Sequence, residues 1–285
     1  MKTVDREAFA QALKRVRLLA LDIDGTILTD DKRLTNRTAS AIRGASEKGI
    51  QVVLVTGRPL SGIPQALADI SGIRFAITSN GAATTDWARN TRLRSACLDA
   101  DTACAIARIP MEKGLVHSVF LDDYGFCEPA FFEMQRALYA STPIEQYFRA
   151  SRRETDSIER TIRESRAGVE NIWMIAKDRA QRDEIDRRVR GQFDVQTVLT
   201  AETHVEIGSR LADKGLALSA LAEMLGIEKG EILALGDNEN DLGMFRAAGL
   251  CAAMGNGTES AKAQADFITD SNACDGAAKV IERLL

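Results

Sequence analysis

Apolar and polar positions along the chain fall into two rhythms. The run LLALDIDGTIL, Leu18 to Leu28, opens with consecutive apolar residues and breaks at Gly25. Such a run suits a parallel strand covered on both faces. IQVVLVTGRP, Ile50 to Pro59, repeats the pattern and ends in Thr56 and Gly57, and FAITSNGA, Phe75 to Ala82, is a third strand candidate. A helix is predicted around Arg37 to Lys48. Ahead of the first strand, REAFAQALKRV (Arg6 to Val16) places Phe9, Leu13 and Val16 at helical spacing. Strands alternating with helices predict an open parallel α/β sheet, in which ligands collect outside the carboxyl ends of the strands.

From Ala83 to about His204 the rhythm changes. NGAATTDWARNTRLRSACL reads as a hairpin, after which helical stretches alternate with the strand candidates HSVFL and NIWMIA. The parallel pattern returns at VEIGSRLADKGLAL, Val205 to Leu218, and at EILALGDNENDLGMF, Glu231 to Phe245; GLCAAMGNG and ADFITD add a short strand and loops. The expected organisation is a discontinuous core, 1–82 and 205–285, interrupted by an inserted α+β domain at 83–204.

Composition narrows the partners. The chain has 285 residues, enough for one large domain or two modest ones, with 45% hydrophobic and 27% charged residues, ordinary for a soluble globular protein. The formal net charge of -4 comes without a concentrated basic surface, so neither nucleic acid nor membrane is expected as a partner. The expected ligand is small, and the chain is expected to be a monomer or homodimer. Five cysteines, none at two-residue spacing, read as free thiols of a reducing compartment. With Asp5 and Glu7 where a secretory signal would be basic and then apolar, a cytoplasmic location is expected. His117 and His204 lie outside every motif and read as structural.

Candidate chemistry begins with Asp22 and Asp24. Two carboxylates two residues apart at a strand end, followed by glycine, can place one oxygen for attack while the chain turns to present the other from above, although a turn with both aspartates bonded to nearby amides has the same sequence. Thr56, at the end of the next strand, offers a hydroxyl and an amide to a phosphate oxygen; on its own it reads better as a helix N-cap for the segment after Pro59. Lys214, opening an apolar helical run, could neutralise a phosphoryl group or be a solvated lysine. Asp237, Glu239 and Asp241 with Asn240 follow the apolar strand ILALG, bringing a second acidic cluster to a strand end. Such oxygen ligands suit magnesium, and without a cation like charges brought together would raise a carboxylate's pKa and destabilise the fold.

DIDGT, LVTGRP, ADKG and GDNENDLGMF, in this order, resemble the four signature motifs of the haloacid dehalogenase (HAD) superfamily of phosphohydrolases. AAMGNG, ADFITDSNACDG, SNGA and the hairpin behind it resemble its Cof-like subclass IIB. The resemblance implies a Rossmann-like parallel-sheet core that carries catalysis, and a large cap, inserted between the second and third motifs, that covers the substrate. It implies that Asp22 attacks phosphorus and becomes a transient acyl phosphate, while Asp24 protonates the leaving oxygen and then deprotonates water. Thr56, Gly57, Lys214 and Asn240 would hold the phosphoryl group. Asp22, the Asp24 carbonyl and Asp237 would bind Mg2+, with Asp241 orienting Lys214 or a water on the metal.

The implied substrate is a small phosphorylated metabolite, sugar phosphates foremost. Asn80, Gly81, Tyr124 and Phe126 are the candidate substrate contacts. A phosphosugar mutase using the same phosphoaspartate chemistry, and a catalytically idle binding protein on the same scaffold, are the alternatives.

Overall fold

The computed structural model describes residues 11–200 and 202–285. Leu13 and Val16 are buried, whereas Phe9 and the first half of the helix expected at Arg6 to Val16 lie outside the described residues. The strands are β1 (Leu18–Asp22), β2 (Gln51–Val55), β3 (Ile73–Thr78), β4 (Ala83–Asp86), β5 (Thr91–Ser95), β6 (His117–Leu121) and β7 (Tyr124–Cys127). They continue with β8 (Arg152–Glu154), β9 (Asn171–Ile175), β10 (Val195–Thr200), β11 (His204–Ser209), β12 (Ile232–Gly236), β13 (Leu250–Ala253) and β14 (Phe267–Ile268).

Each residue of LLALD in β1 and of ILALG in β12 is buried, as the unbroken apolar runs require of central parallel strands. Among the described residues, the larger sheet runs β14-β13-β12-β1-β2-β3-β4-β5, parallel from β14 to β3 and antiparallel where β4 joins. Leu21 pairs with Leu235 on one side and Asp22 with Val55 on the other, so three strands end level with one another. The chain leaves β1 toward β2 and β3, and returns on its other flank at β12 and β13. β1 therefore sits where the strand order reverses, the place at which parallel α/β sheets form a crevice. Ala217, Leu218, Leu221 and Ala222 of the helix Lys214–Met224 pack against Val53, Val55, Phe75 and Ile77 in the core of this sheet.

The smaller sheet runs β10-β11-β9-β6-β7-β8. Val119, Leu121, Ile172, Met174, Val205 and Ile207 alternate along its strands and join residues of the helices Ala100–Glu112, Ile158–Glu164 and Arg179–Gln192 in a second hydrophobic core. His117 is buried in this sheet, its Nδ1 2.9 Å from the Leu115 carbonyl oxygen.

The chain thus divides into two units. Unit 1 comprises residues up to Gly57, Pro64–Leu93 and Asp213–Leu285, and unit 2 comprises Arg58–Ile63 and Arg94–Ala212. The division differs from the sequence expectation at both junctions. β4 pairs with β3 from Phe75↔Asp86 to Thr78↔Ala83, so the hairpin extends the larger sheet instead of opening the inserted domain. HVEIGS is β11, antiparallel to β9 and β10, rather than a returning parallel strand. Its apolar residues alternate, Val205 and Ile207 with Glu206 between them, as in a strand with one buried face.

Candidate functional site

The site is built on unit 1 from the carboxyl ends of β1, β2 and β12. Asp22 is the last residue of β1 and is buried. Gly25 lets the chain turn at φ +79°, and a Cβ there would come within 2.5 Å of Asp237 Oδ2, so only glycine lets this turn pass the second acidic cluster. Lys214 opens its helix behind the N-cap Asp213, whose carboxylate accepts the Leu216 N–H at 2.8 Å. From that position Lys214 Nζ donates to Asp22 Oδ1 at 2.7 Å and to Asp241 Oδ1 at 2.6 Å, with the side chain only 1% exposed.

Asp241 is buried, and its second oxygen accepts the Asp237 and Asn238 N–H groups at 2.9 and 3.0 Å. Thr26 donates its hydroxyl to Asp237 Oδ1 at 3.1 Å. Asp22, Asp237 and Asp241 bring carboxylate oxygens within 4.8 Å of one another, a grouping able to hold a metal ion. Glu239, the remaining acid of that cluster, turns away to accept a bond from Ser260 at 3.5 Å.

Electrostatics make the same point. Burial, then Asp241, push Asp22 well above the usual carboxylate range against the pull of Lys214, and Asp237 adds to the rise. Burial and Asp241 likewise push Asp237 up to about 6, with Lys214 and the Thr26 hydrogen bond opposing. Burial alone would drive Lys214 toward its neutral form, but Asp22 and Asp241 outweigh it and hold its pKa above the usual lysine range. Three buried or half-buried carboxylates share one lysine, an excess of negative charge that fits a divalent cation.

Asp24 lies two residues beyond Asp22 and is less buried; Lys32 Nζ holds its carboxylate at 2.8 Å. Thr56 is buried, but its N–H donates to the Ile77 carbonyl at 2.8 Å, so its amide serves the sheet and is not the phosphate donor expected from the sequence. Asn80 donates its own N–H to the Thr56 carbonyl at 3.0 Å, and its Oδ1 accepts from Asn240 Nδ2 at 3.0 Å, joining the loops after β2, β3 and β12. Ser79, Asn80 and Gly81 all have positive φ, a tight left-handed turn that brings Asn80 Oδ1 to 3.1 Å from where a Cβ on Gly57 would stand.

Asp22, Asp24, Thr56, Gly57, Asn80, Gly81, Lys214, Asp237, Asn240 and Asp241 all lie in unit 1. Tyr124 and Phe126 lie in unit 2: the Arg153 guanidinium stacks 4.2 Å from the Tyr124 ring, and Phe126 packs against the helix-covered core. Phe126 is therefore core, because it shares the face of Val119, its cross-strand partner. Thr26, Lys32 and Asn256, whose Nδ2 holds the Gly25 carbonyl at 2.9 Å, join the site without having been singled out in the sequence. Thr26, inside DIDGT, and Asn256, inside AAMGNG, lie in motifs the sequence offers, whereas Lys32 comes from a loop without one.

The sequence pattern of haloacid dehalogenase-like hydrolases matches residues 19–281. The 5-amino-6-(5-phospho-D-ribitylamino)uracil phosphatase YcsE of Bacillus subtilis (strain 168) is 28% identical over 93% of this chain and 94% of its own. The pyridoxal phosphate phosphatase YbhA of Escherichia coli (strain K12) is 28% identical over 93% of this chain and 97% of its own. In structure, the subclass IIB sugar phosphatase BT4131 superposes with a TM-score of 0.79, covering 95% of this chain and 100% of its own at 22% identity. Spanned almost end to end by that pattern and by named phosphatases, the chain belongs to the haloacid dehalogenase-like hydrolases and is an enzyme of their phosphatase kind.

Proposed function

We propose that the chain is a magnesium-dependent phosphatase that hydrolyses small phosphorylated metabolites, sugar phosphates foremost, through a phosphoaspartate on Asp22. The observation that carries this reading is the buried Asp22 carboxylate at the tip of β1, tied to Lys214 at 2.7 Å beside Asp237, with a second carboxylate two residues on. Binding alone requires no such pairing of a shielded nucleophile with a separate, less buried acid.

Asp22 attacks phosphorus and displaces the leaving oxygen, which takes a proton from Asp24. Asp24 then removes a proton from water as that water attacks the acyl phosphate, releasing inorganic phosphate and restoring the Asp22 carboxylate. Lys214, the Thr56 hydroxyl and Asn240 balance and orient the phosphoryl oxygens. Asp241, with one oxygen on Lys214 and the other on two backbone amides, holds the ammonium in place and has little capacity left for a metal. Asp22, the Asp24 carbonyl and Asp237 would hold magnesium, which when bound offsets charge between an anionic nucleophile and an anionic phosphate. Unit 2, inserted into the fold of unit 1, selects the substrate. The relatives named for pyridoxal phosphate and for a ribitylaminouracil phosphate support a small phosphate monoester as substrate.

The test is phosphate release from sugar phosphates, nucleotides, pyridoxal phosphate and nitrophenyl phosphate, with magnesium and with chelator. Asp22→Asn should abolish release while leaving the melting temperature close to that of the wild type, because the amide keeps the shape without the nucleophile. Ordinary turnover by that variant would end the proposal.

A further inference from the structure

Unit 2 contains a buried cation, Arg152, with no counter-ion among the described residues. Arg152 on β8, Gly125 on β7, Phe120 on β6 and Asn171 on β9 stand in register in one row across the sheet. They share the face opposite the helix-covered core, to which the intervening residues Val119 and Ile172 belong. The next row on this face includes Ser118, Trp173 and Glu206.

Arg152 is 4% exposed, and its guanidinium lies 4.4 Å from the centre of the Phe120 ring, with Tyr147 at 5.2 Å and Trp173 at 5.8 Å. Its Nε donates to Ser118 Oγ at 3.1 Å, and its Nη1 to Ser151 Oγ at 2.8 Å and to the Tyr147 hydroxyl at 3.4 Å. A Cβ on Gly125 would come within 2.9 Å of Arg152 Cδ and 3.0 Å of Phe120, so glycine makes the room in which the side chain lies along the sheet.

Among the described residues no carboxylate pairs with Arg152, and its Nη2 has no acceptor. Buried charges are ordinarily paired, since hydroxyl dipoles and aromatic faces solvate a guanidinium only in part. Beside Phe120 in the same row, Asn171 is 3% exposed; its Nδ2 donates to Glu206 Oε2 at 3.0 Å, and its Oδ1 has no partner. A cation lacking an anion, lying over Phe120, and an acceptor lacking a donor, on the strand beside Phe120, thus share one face.

We propose that Arg152 is a specificity-determining residue: its guanidinium binds an oxyanion, a carboxylate or a second phosphate, on the part of the substrate that is not transferred. Asn171 Oδ1 accepts a hydrogen bond from a hydroxyl or amine of the same molecule. Nη2 supplies two charge-assisted donors to the oxyanion. The inference rests on the reading that the chain hydrolyses phosphate monoesters and that unit 2 selects among them.

Two substrate pairs test it: glycerol 3-phosphate against 3-phosphoglycerate for the carboxylate, and glucose 6-phosphate against glucose 1,6-bisphosphate for the second phosphate. The wild type should favour the anionic member of one pair by about tenfold or more in kcat/KM, and the pair that shows it identifies the anion. Arg152→Met should erase that ratio through KM while raising the melting temperature, since an uncompensated buried charge has been removed. Arg152→Lys, which keeps the charge but loses the planar fork, should retain part of the ratio and covers the case in which the methionine variant fails to fold. Equal ratios in wild type and both variants, or a lower melting temperature with unchanged ratios, would overturn the inference and leave Arg152 a structural residue. If no ester is hydrolysed, the phosphatase reading fails by itself; calorimetric binding of the same four compounds to wild type and Arg152→Met then decides the oxyanion site separately.

Discussion

Withdrawing divalent metal should make the fold lose stability as pH rises through the range in which most proteins gain it, and Asp237→Asn should remove that loss. Asp237 has its carboxyl pushed up to about 6, chiefly by burial and by Asp241. In the unfolded chain it titrates near the ordinary aspartate value of 3.8. Below about pH 4 the group is protonated in both states and costs nothing. Between about pH 4 and about pH 6 the unfolded chain releases the proton while the folded chain keeps it, so the folded state is progressively disfavoured. Two units at about 1.4 kcal/mol each give a deficit of about 3 kcal/mol that is complete above about pH 6. Asp22, raised partly by Asp237, is relieved by the same substitution and adds in the same sense. His117 and His204, whose pKa values burial lowers, act oppositely in this window but are present in both proteins and cancel in the difference. The assay is urea denaturation of wild type and Asp237→Asn in chelator, at about pH 4.5 and about pH 7.5, then repeated with magnesium. In chelator the variant should be more stable by about 3 kcal/mol at the higher pH and by only about 1 kcal/mol at the lower. Magnesium at a hundred times its dissociation constant should return about 2.7 kcal/mol to the wild type and far less to the variant. A pH-independent difference between the two proteins, or equal stabilisation of both by magnesium, would refute the argument that these carboxylates form an unneutralised cation site.

Lys214→Gln should cost about 3–5 kcal/mol in chelator at neutral pH, because it leaves the buried Asp22 and Asp241 without their shared cation; the cost should shrink in acid, as denaturation at two pH values would reveal. Asp24→Asn should slow an alkyl phosphate by about 10²–10⁴-fold and nitrophenyl phosphate much less, since only the poorer leaving group needs the proton; equal slowing of both in steady-state assays would remove Asp24 from the acid role.

The parts of the site legible in the sequence are those where two local signals coincide: an apolar run that can only be a central strand, and carboxylates at its end. Asp22 and Asp237 satisfy both, and parallel pairing of β1 with β12 in the register Leu21↔Leu235 brings them together. Lys32 and Asn256 satisfy neither, because each reaches the site from a loop whose path is set by turns at Gly25 and after β13 rather than by periodicity. The junctions of unit 2 are hard to read from the sequence for a related reason. A change in composition at Ala83 marks the start of antiparallel pairing, not the end of the larger sheet, and β4 continues that sheet for another strand. Val205 and Ile207 look like part of a buried run, but Glu206 and Gly208 interrupt them with a period of two.

Arg152 was illegible from any motif, and the reason lies in how unit 2 is made. Its hydrophobic face is written in the strands by alternation and can be read from the sequence, as Val119, Leu121, Ile172 and Met174 illustrate. The residues between them carry no constraint from that core, so Ser118, Phe120, Asn171 and Trp173 read as an unremarkable mixture until register aligns them. A three-residue strand, β8, then sets Arg152 beside Gly125, the one position of its row that lacks a side chain, and the guanidinium extends over Phe120. Recognition chemistry on a sheet face is thus distributed one residue per strand, whereas the phosphoryl-transfer chemistry of unit 1 is concentrated at strand ends. The first is visible only after the strands have been paired, and the second can be read from single segments. That difference is why the reaction class follows from four short motifs while the substrate must be sought in the row that runs from Arg152 to Asn171.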